Sequence, residues 1–132
     1  MKSVLDNKFS MKKEDRIENS LHIIHIQTTL NNTIITLTDF HGNTKASASA
    51  GFLGFKNSRK STTYASQTTA EYIAKKCLSL GIQNVEVKLK GVGFGKESSL
   101  RGLQSSGIFI KKIEDVTSLP HNGCRLPKKR RL

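Results

Sequence analysis

Two kinds of hydrophobic pattern alternate along the chain from Leu21 onward. Leu21, Ile23, Ile24, Ile26 and Thr28 form a β-branched run interrupted by His22 and His25. Asn31-Asn32 signals a turn, and Thr33–Thr38 is a second run of strand composition. Asp39-Phe40-His41-Gly42-Asn43 turns the chain again, and residues 44–50 alternate small apolar and polar side chains as a third strand. Short turns between the three predict an antiparallel meander.

The period then changes. Gly51–Lys60, GFLGFKNSRK, reads as a glycine-containing loop with three cations, after which Ser61, Thr62 or Thr63 can cap a helix. That helix is predicted over roughly Tyr64–Leu80, where Ala70, Ile73, Ala74, Cys77 and Leu78 fall at helical spacing and Gly81 supplies the stop. Val85, Val87 and Leu89 alternate with Glu86, Lys88 and Lys90 in a fourth strand. GVGFG (91–95) leads into a second helix that starts near Lys96 or Glu97, buries Leu100 and Leu103, and ends at Gly107. Ile108, Phe109, Ile110 and Ile113 make the last strand. The predicted order is β-β-β-α-β-α-β, an α/β domain whose later crossovers are right-handed and parallel. Residues 1–20 carry no apolar period and read as a flexible N-terminal extension, 21–116 as the globular domain, and 117–132 as an extended tail.

A chain of 132 residues allows one ordinary domain with a short tail or two. Charge adds more. Lys and Arg number 22 against 10 Asp and Glu, a net +12. Residues 1–40 are neutral, with five bases and five acids, and residues 41–132 hold all of the excess. The tail contributes Arg125, Lys128, Lys129, Arg130 and Arg131 without an acid. A small domain this basic repels itself, and the usual compensation is a polyanion. No stretch has the apolar length of a membrane span. The first twenty residues lack a signal-peptide core and carry acids that a transit peptide avoids. Two cysteines, Cys77 and Cys124, make no disulfide framework and read as free thiols.

Three segments carry candidate chemistry. GVGFG stands between a strand and a helix, where backbone N–H groups meet a helix dipole. It does not satisfy the dinucleotide fingerprint, and a tight turn is the better reading than mononucleotide binding. Contact with an RNA phosphate lies between these, helped by Lys90, Lys96 and Arg101. FKNSRKST (55–62) clusters Lys56, Arg59 and Lys60 with hydroxyls and an amide, all phosphate-contacting types. A solvated loop is the bland alternative, and the nearby glycines tilt the reading toward RNA. PHNGCRLPKKRR (120–131) is stiffened by two prolines, and its cations can reach phosphates while His121 or Arg125 stacks on an unpaired base. A zinc site from His121 and Cys124 lacks half its ligands, and a nuclear import signal in PKKRR stays open. Cys77 reads as a small buried hydrophobe, and His22 and His25 as surface or edge residues. The acids Asp39, Glu71, Glu97, Glu114 and Asp115 are scattered, against a metal-dependent nuclease, and no GxSxG elbow is present.

The strings NNTIITLTD, ASAGFLGFKNSRKSTTYASQTTAE, VEVKLKGVGFGKESSLRGL and DVTSLPHNGCRLPKKRRL resemble the universal small-subunit ribosomal protein family numbered eleven over about residues 21–132. The form is similar to bacterial and organellar members, most of all to mitochondrial ones. The resemblance implies a three-layer α/β fold with a mixed five-stranded sheet and two main helices, a ribonuclease-H-like motif without its catalytic acids. It implies a structural role, not an enzyme, with no cofactor, metal or small-molecule substrate and no membrane partner. The implied partners are small-subunit ribosomal RNA and neighbouring platform ribosomal proteins, beside the messenger RNA exit path. Carried over by position, the RNA-facing residues are Lys56, Asn57, Arg59 and Lys60 in the loop and Gly93, Gly95, Lys96 and Arg101 at the second helix. His121, Asn122, Gly123, Arg125, Lys128, Lys129, Arg130 and Arg131 complete the set in the tail. Frequent Asn, Lys, Ile and Ser, as in AT-rich organelle genes, imply an organelle-encoded protein of the mitochondrial matrix ribosome, with a plastid or bacterial cytoplasm as the alternative. The competing readings are a free basic nucleic-acid-binding protein entering the nucleus through PKKRR, and a divergent nuclease on the same fold.

Overall fold

The computed structural model describes residues 21–132, so the N-terminal extension expected over residues 1–20 lies outside the described residues. Strands β1 (His22–Thr28), β2 (Thr33–Asp39) and β3 (Thr44–Ser49) come first. A short 3₁₀ turn at Asn57–Ser61 leads to helix α1 (Thr63–Ser79). Strand β4 (Asn84–Gly91), helix α2 (Gly95–Ser105) and strand β5 (Phe109–Asp115) follow. The element order, the mixed five-stranded sheet and the two helices are those expected.

The sheet order is β3-β2-β1-β4-β5. β2 pairs antiparallel with both β1 and β3, whereas β4 pairs parallel with β1 and with β5. The expected meander is therefore present, and β1 is the central strand. His22 and His25 lie on this central strand, not on an edge strand, and both stay partly exposed. Parity follows from the pleat, which sends alternate side chains to opposite faces. Ile24 and Ile26 stand beside Leu37 and Ile35 on one side and Val87 and Leu89 on the other. Together with Ala48 and Val85 they form the sheet side of the core, closed by Ala70, Ile73, Ala74, Cys77 and Leu103 of the helices. The opposite face carries His25, Gln27, Thr36, Ser47, Glu86 and Lys88 in matching register. Among the described residues no helix covers it.

Each helix boundary has a chemical cause. The Thr62 hydroxyl accepts the Ala65 N–H at 3.3 Å, which selects it from the three candidate caps. Gly81 adopts φ +76° just past the end of α1, where a side chain would be strained. Leu78 departs from expectation, being 43% exposed. At 3.6 residues per turn it falls beyond the Ala74 edge of the stripe defined by Ser66, Ala70, Ile73 and Cys77. Leu103 is fully buried and Leu100 only partly. α2 starts at Gly95, a residue ahead of expectation, behind Phe94, whose side chain makes no cap.

The helices meet where α2 offers no side chain. A Cβ placed on Gly102 would stand 2.8 Å from the Gln67 carbonyl oxygen and 3.0 Å from the Ala70 Cβ. One turn earlier, the Ser99 hydroxyl is buried without a hydrogen-bond partner. These two positions give opposite expectations. Gly102→Ala lowers stability by about 1–2 kcal/mol even though Ala is the better helix former. Ser99→Ala leaves stability unchanged or raises it by up to about 1 kcal/mol, since no hydrogen bond is lost. Denaturant midpoints measure both, and a Gly102→Ala protein more stable than its parent would contradict the close helix crossing.

Candidate nucleic-acid interface at one end of the sheet

Strand direction decides where the candidate segments lie. β2 alone runs against the other four strands. The C-terminal ends of β1, β3, β4 and β5 therefore lie along the same end of the sheet. From that end spring the β1–β2 turn, the 50–62 loop, the GVGFG loop and the tail. Three segments far apart in sequence thus share one end of the molecule, as ligand-binding loops do in open α/β sheets.

The first loop is built by its own backbone. Phe55 N–H donates to the Ala50 carbonyl at 3.2 Å, Gly54 N–H to Gly51 at 3.3 Å, and Arg59 N–H to Lys56 at 3.1 Å. Asn57 adopts φ +52°, a left-handed conformation that Asn tolerates better than most side chains. Lys56, Asn57 and Arg59 are exposed and Lys60 half-buried. Among the described residues no hydrogen bond or ion pair engages the side chains of Lys56, Asn57 or Arg59. The loop also lays rings on the outer face of α1. Phe55 meets Tyr64 edge to face at 5.9 Å and Phe52 meets Tyr72 at 5.8 Å. Lys76 Nζ lies 5.8 Å from the Tyr72 ring centre. Phe52 and Tyr64 stay 66% and 69% exposed. These aromatics were absent from the residues expected at the site, although rings interleaved with cations and glycines are the signal that finds them.

At the second loop the structure separates the expected residues. Gly95 is buried, and a Cβ there would fall 2.5 Å from Thr33 Oγ1 and 2.6 Å from Ser66 Oγ. Those hydroxyls share a buried hydrogen bond of 2.8 Å. Gly93, at φ +150°, presses against the Thr29 carbonyl. The structure thus gives both glycines a packing role between α2 and the β1–β2 turn. Lys96 turns to β5, donating to Asp115 Oδ2 at 3.1 Å and to Thr117 Oγ1 at 3.4 Å. Arg101 pairs with Glu97 at 2.7 Å on the exposed side of α2.

The tail is fixed at its root and exposed beyond it. Val116 N–H donates to the Leu89 carbonyl at 2.8 Å, and Gly91 N–H to Thr117 Oγ1 at 3.2 Å. From Thr117 to Leu132 every residue is exposed and outside regular structure, including His121, Gly123, Arg125, Lys128, Lys129, Arg130 and Arg131. Asn122 adopts φ +54°. Cys124 is an exposed free thiol, while Cys77 is buried in α1, where desolvation pushes its thiol up to about 11.

The opposite end is chemically different. His22 Nε2 lies 3.2 Å from Asp39 Oδ1, and Lys45 Nζ lies 3.0 Å from Asp39 Oδ2. On the uncovered face His25 Nε2 lies 3.1 Å from Thr38 Oγ1, and burial with nearby Lys88 lowers its affinity for a proton. Lys112 and Glu114 pair on that face.

The tail root makes a pH prediction. Hydrogen bonds from the Thr117 hydroxyl and N–H, then from Lys96, pull the Asp115 carboxyl from 3.8 down to about 2. A depressed carboxylate contributes stability that is present above its unfolded value and lost as pH falls through its folded one. The melting-temperature gap between the parent and Asp115→Asn should be full above pH 3.8 and close as pH approaches about 2. A gap that persists unchanged at the acid end would contradict the anchoring role of the carboxylate.

The chain matches the family model described as Ribosomal protein S11 over residues 22–131. It is similar to the small ribosomal subunit protein uS11m of Prototheca wickerhamii, 54% identical over 131 residues, which covers 99% of this chain and 97% of that protein. It is similar also to the small ribosomal subunit protein uS11m of Marchantia polymorpha, 61% identical over 105 residues, covering 80% of this chain and 84% of the relative. With the match running from the first strand through both helices into the cationic tail, the chain belongs to the Ribosomal protein S11 family.

Proposed function

We propose that this protein is a structural constituent of the small subunit of the mitochondrial ribosome, held on small-subunit ribosomal RNA by the end of the sheet that carries its cationic loop and tail. Family membership supports the ribosomal role, and the two relatives' names support the small subunit and the mitochondrion. The observation that carries the RNA contact is convergence: Lys56, Arg59 and Lys60 stand at the same end of the sheet from which the five tail cations depart. Backbone phosphates are the ligand that such unpartnered Lys and Arg side chains meet. Gly93, Gly95 and Lys96 act behind this surface, holding the loops in place, while Arg101, Asn57, His121, Asn122 and Gly123 lie at it. The position is the platform, beside RNA hairpin loops, neighbouring platform proteins and the messenger exit path. The protein performs no catalysis and works as a ribosomal RNA-binding scaffold in assembly and translation.

The nuclear alternative makes PKKRR a transport signal and leaves the loop idle. Truncation separates the two. If Arg125, Lys128, Lys129, Arg130 and Arg131 contact phosphates, deleting residues 121–132 reduces the log-affinity versus log-salt slope by roughly 3.5 to 4.5 units, at about 0.7 to 0.9 per contact. The truncated protein folds but is poorly retained in small subunits. An unchanged slope together with normal incorporation would defeat the tail as an RNA anchor.

A further inference from the structure

The loop that carries Lys56 and Arg59 also encloses a cleft. It is an open depression of about 560 Å³ lined by residues 53–59. That volume lies in the range of ligand sites and has room for a nucleobase with its sugar. Its wall holds one ring, Phe55, one amide, Asn57, and two cations, Lys56 and Arg59. The Phe55 ring is set by its edge-to-face contact with Tyr64, which projects from the first turn of α1. Left-handed conformations at Gly54 (φ +95°) and Asn57 (φ +52°) bend the loop around the depression. Backbone hydrogen bonds from Gly54, Phe55 and Arg59 hold that bend. The cleft is therefore shaped before any ligand arrives, which limits the entropy lost on binding.

We propose that this cleft takes one unpaired base of the ribosomal RNA. The base stacks on Phe55, its edge meets the Asn57 amide, and Lys56 and Arg59 take the flanking phosphates. The chemistry argues for RNA over a peptide. Every base has a π-face that an aromatic ring can hold, and single-stranded loops are where bases are free to leave the stack. Asn carries both a donor and an acceptor, which suits a base edge. The cations match the chain that a splayed nucleotide brings with it, and the tail, which carries five more, departs from the same end of the sheet. This inference rests on the loop being an RNA contact, and it adds a base-reading element to what would otherwise be phosphate contact alone.

The test is binding of the full chain to a transcript of its small-subunit ribosomal RNA across a salt series. Phe55→Leu keeps an apolar side chain but removes the ring. It weakens binding by roughly 5- to 150-fold, the range that base–aromatic stacking commands, with the salt slope unchanged. Asn57→Gly keeps the left-handed backbone and removes the amide, and it weakens binding in the same sense. Chemical probing of the wild-type complex finds an unpaired base shielded at its edge, and both variants re-expose it. The double variant Lys56→Ala/Arg59→Ala probes the underlying reading and lowers the slope by roughly 1.4 to 1.8. If that slope falls while Phe55→Leu and Asn57→Gly bind as wild type and re-expose no base, the cleft is not a base site and the phosphate contact stands. If the slope also holds, the loop is not at the RNA and both readings fail. Should Phe55→Leu unfold, Asn57→Gly and the probing pattern decide the matter.

Discussion

The direction of the strands is the constraint on which the rest of this molecule depends. β1, β3, β4 and β5 run one way and only β2 returns. Two parallel strands cannot be joined by a hairpin, so after β3 and again after β4 the chain must leave the sheet, cross its face and come back to the starting end. α1 and α2 are those crossings. Each must hide an apolar stripe, and the face formed by Ile24, Ile26, Ile35, Leu37, Val85 and Val87 is where they hide it. Gly102 lets the two helices lie close enough to share that face. The burial that holds the helices down is thus also what brings a loop at 50–62, a loop at 91–95 and the tail to one end.

Charge is distributed in keeping with this geometry. Ion pairs occupy the far end, through His22, Asp39 and Lys45, and the uncovered face, through Lys112 and Glu114. At the converging end Lys96 and Asp115 pair to hold the root of the tail, while Lys56 and Arg59 face solvent unpaired. Like charges gathered without partners oppose the compact state, and a polyanion removes that cost. Stability of the free domain and affinity for RNA are therefore linked. Two acids stand at that end all the same: Asp115 fixes where the tail begins, and Glu97, in the first turn of α2, pairs with Arg101.

Much of this was legible in the sequence because it is local. Thr62 caps α1 and Gly81 ends it for reasons contained in a few neighbouring residues, and the alternation of Val85, Val87 and Leu89 gives β4 its two faces. The cations of loop and tail were equally visible as runs of one charge. The departures are long-range. Nothing near Lys96 announces that its partner is Asp115, across a helix and a strand, so it read as free for RNA. Gly95 is expected at the RNA only from its position in a glycine turn, and it packs tightly against Thr33 and Ser66, residues that only the fold brings together. His22 and His25 looked peripheral because two histidines interrupt an apolar run, yet parallel pairing with β4 makes β1 central. Phe55 and Tyr64 lie nine positions apart, and their contact depends on the loop folding back on α1.

Backbone amide exchange of the full chain, free and bound to small-subunit ribosomal RNA, tests the shared binding end most directly. New protection should appear together in residues 51–60, around 91–96 and in 117–132, with little change at Lys45, Gly81–Asn84 and Lys111. Protection gathered at the His22–Asp39–Lys45 end, or confined to the tail with the loop unaffected, would contradict a single RNA-binding surface made by the converging strand ends.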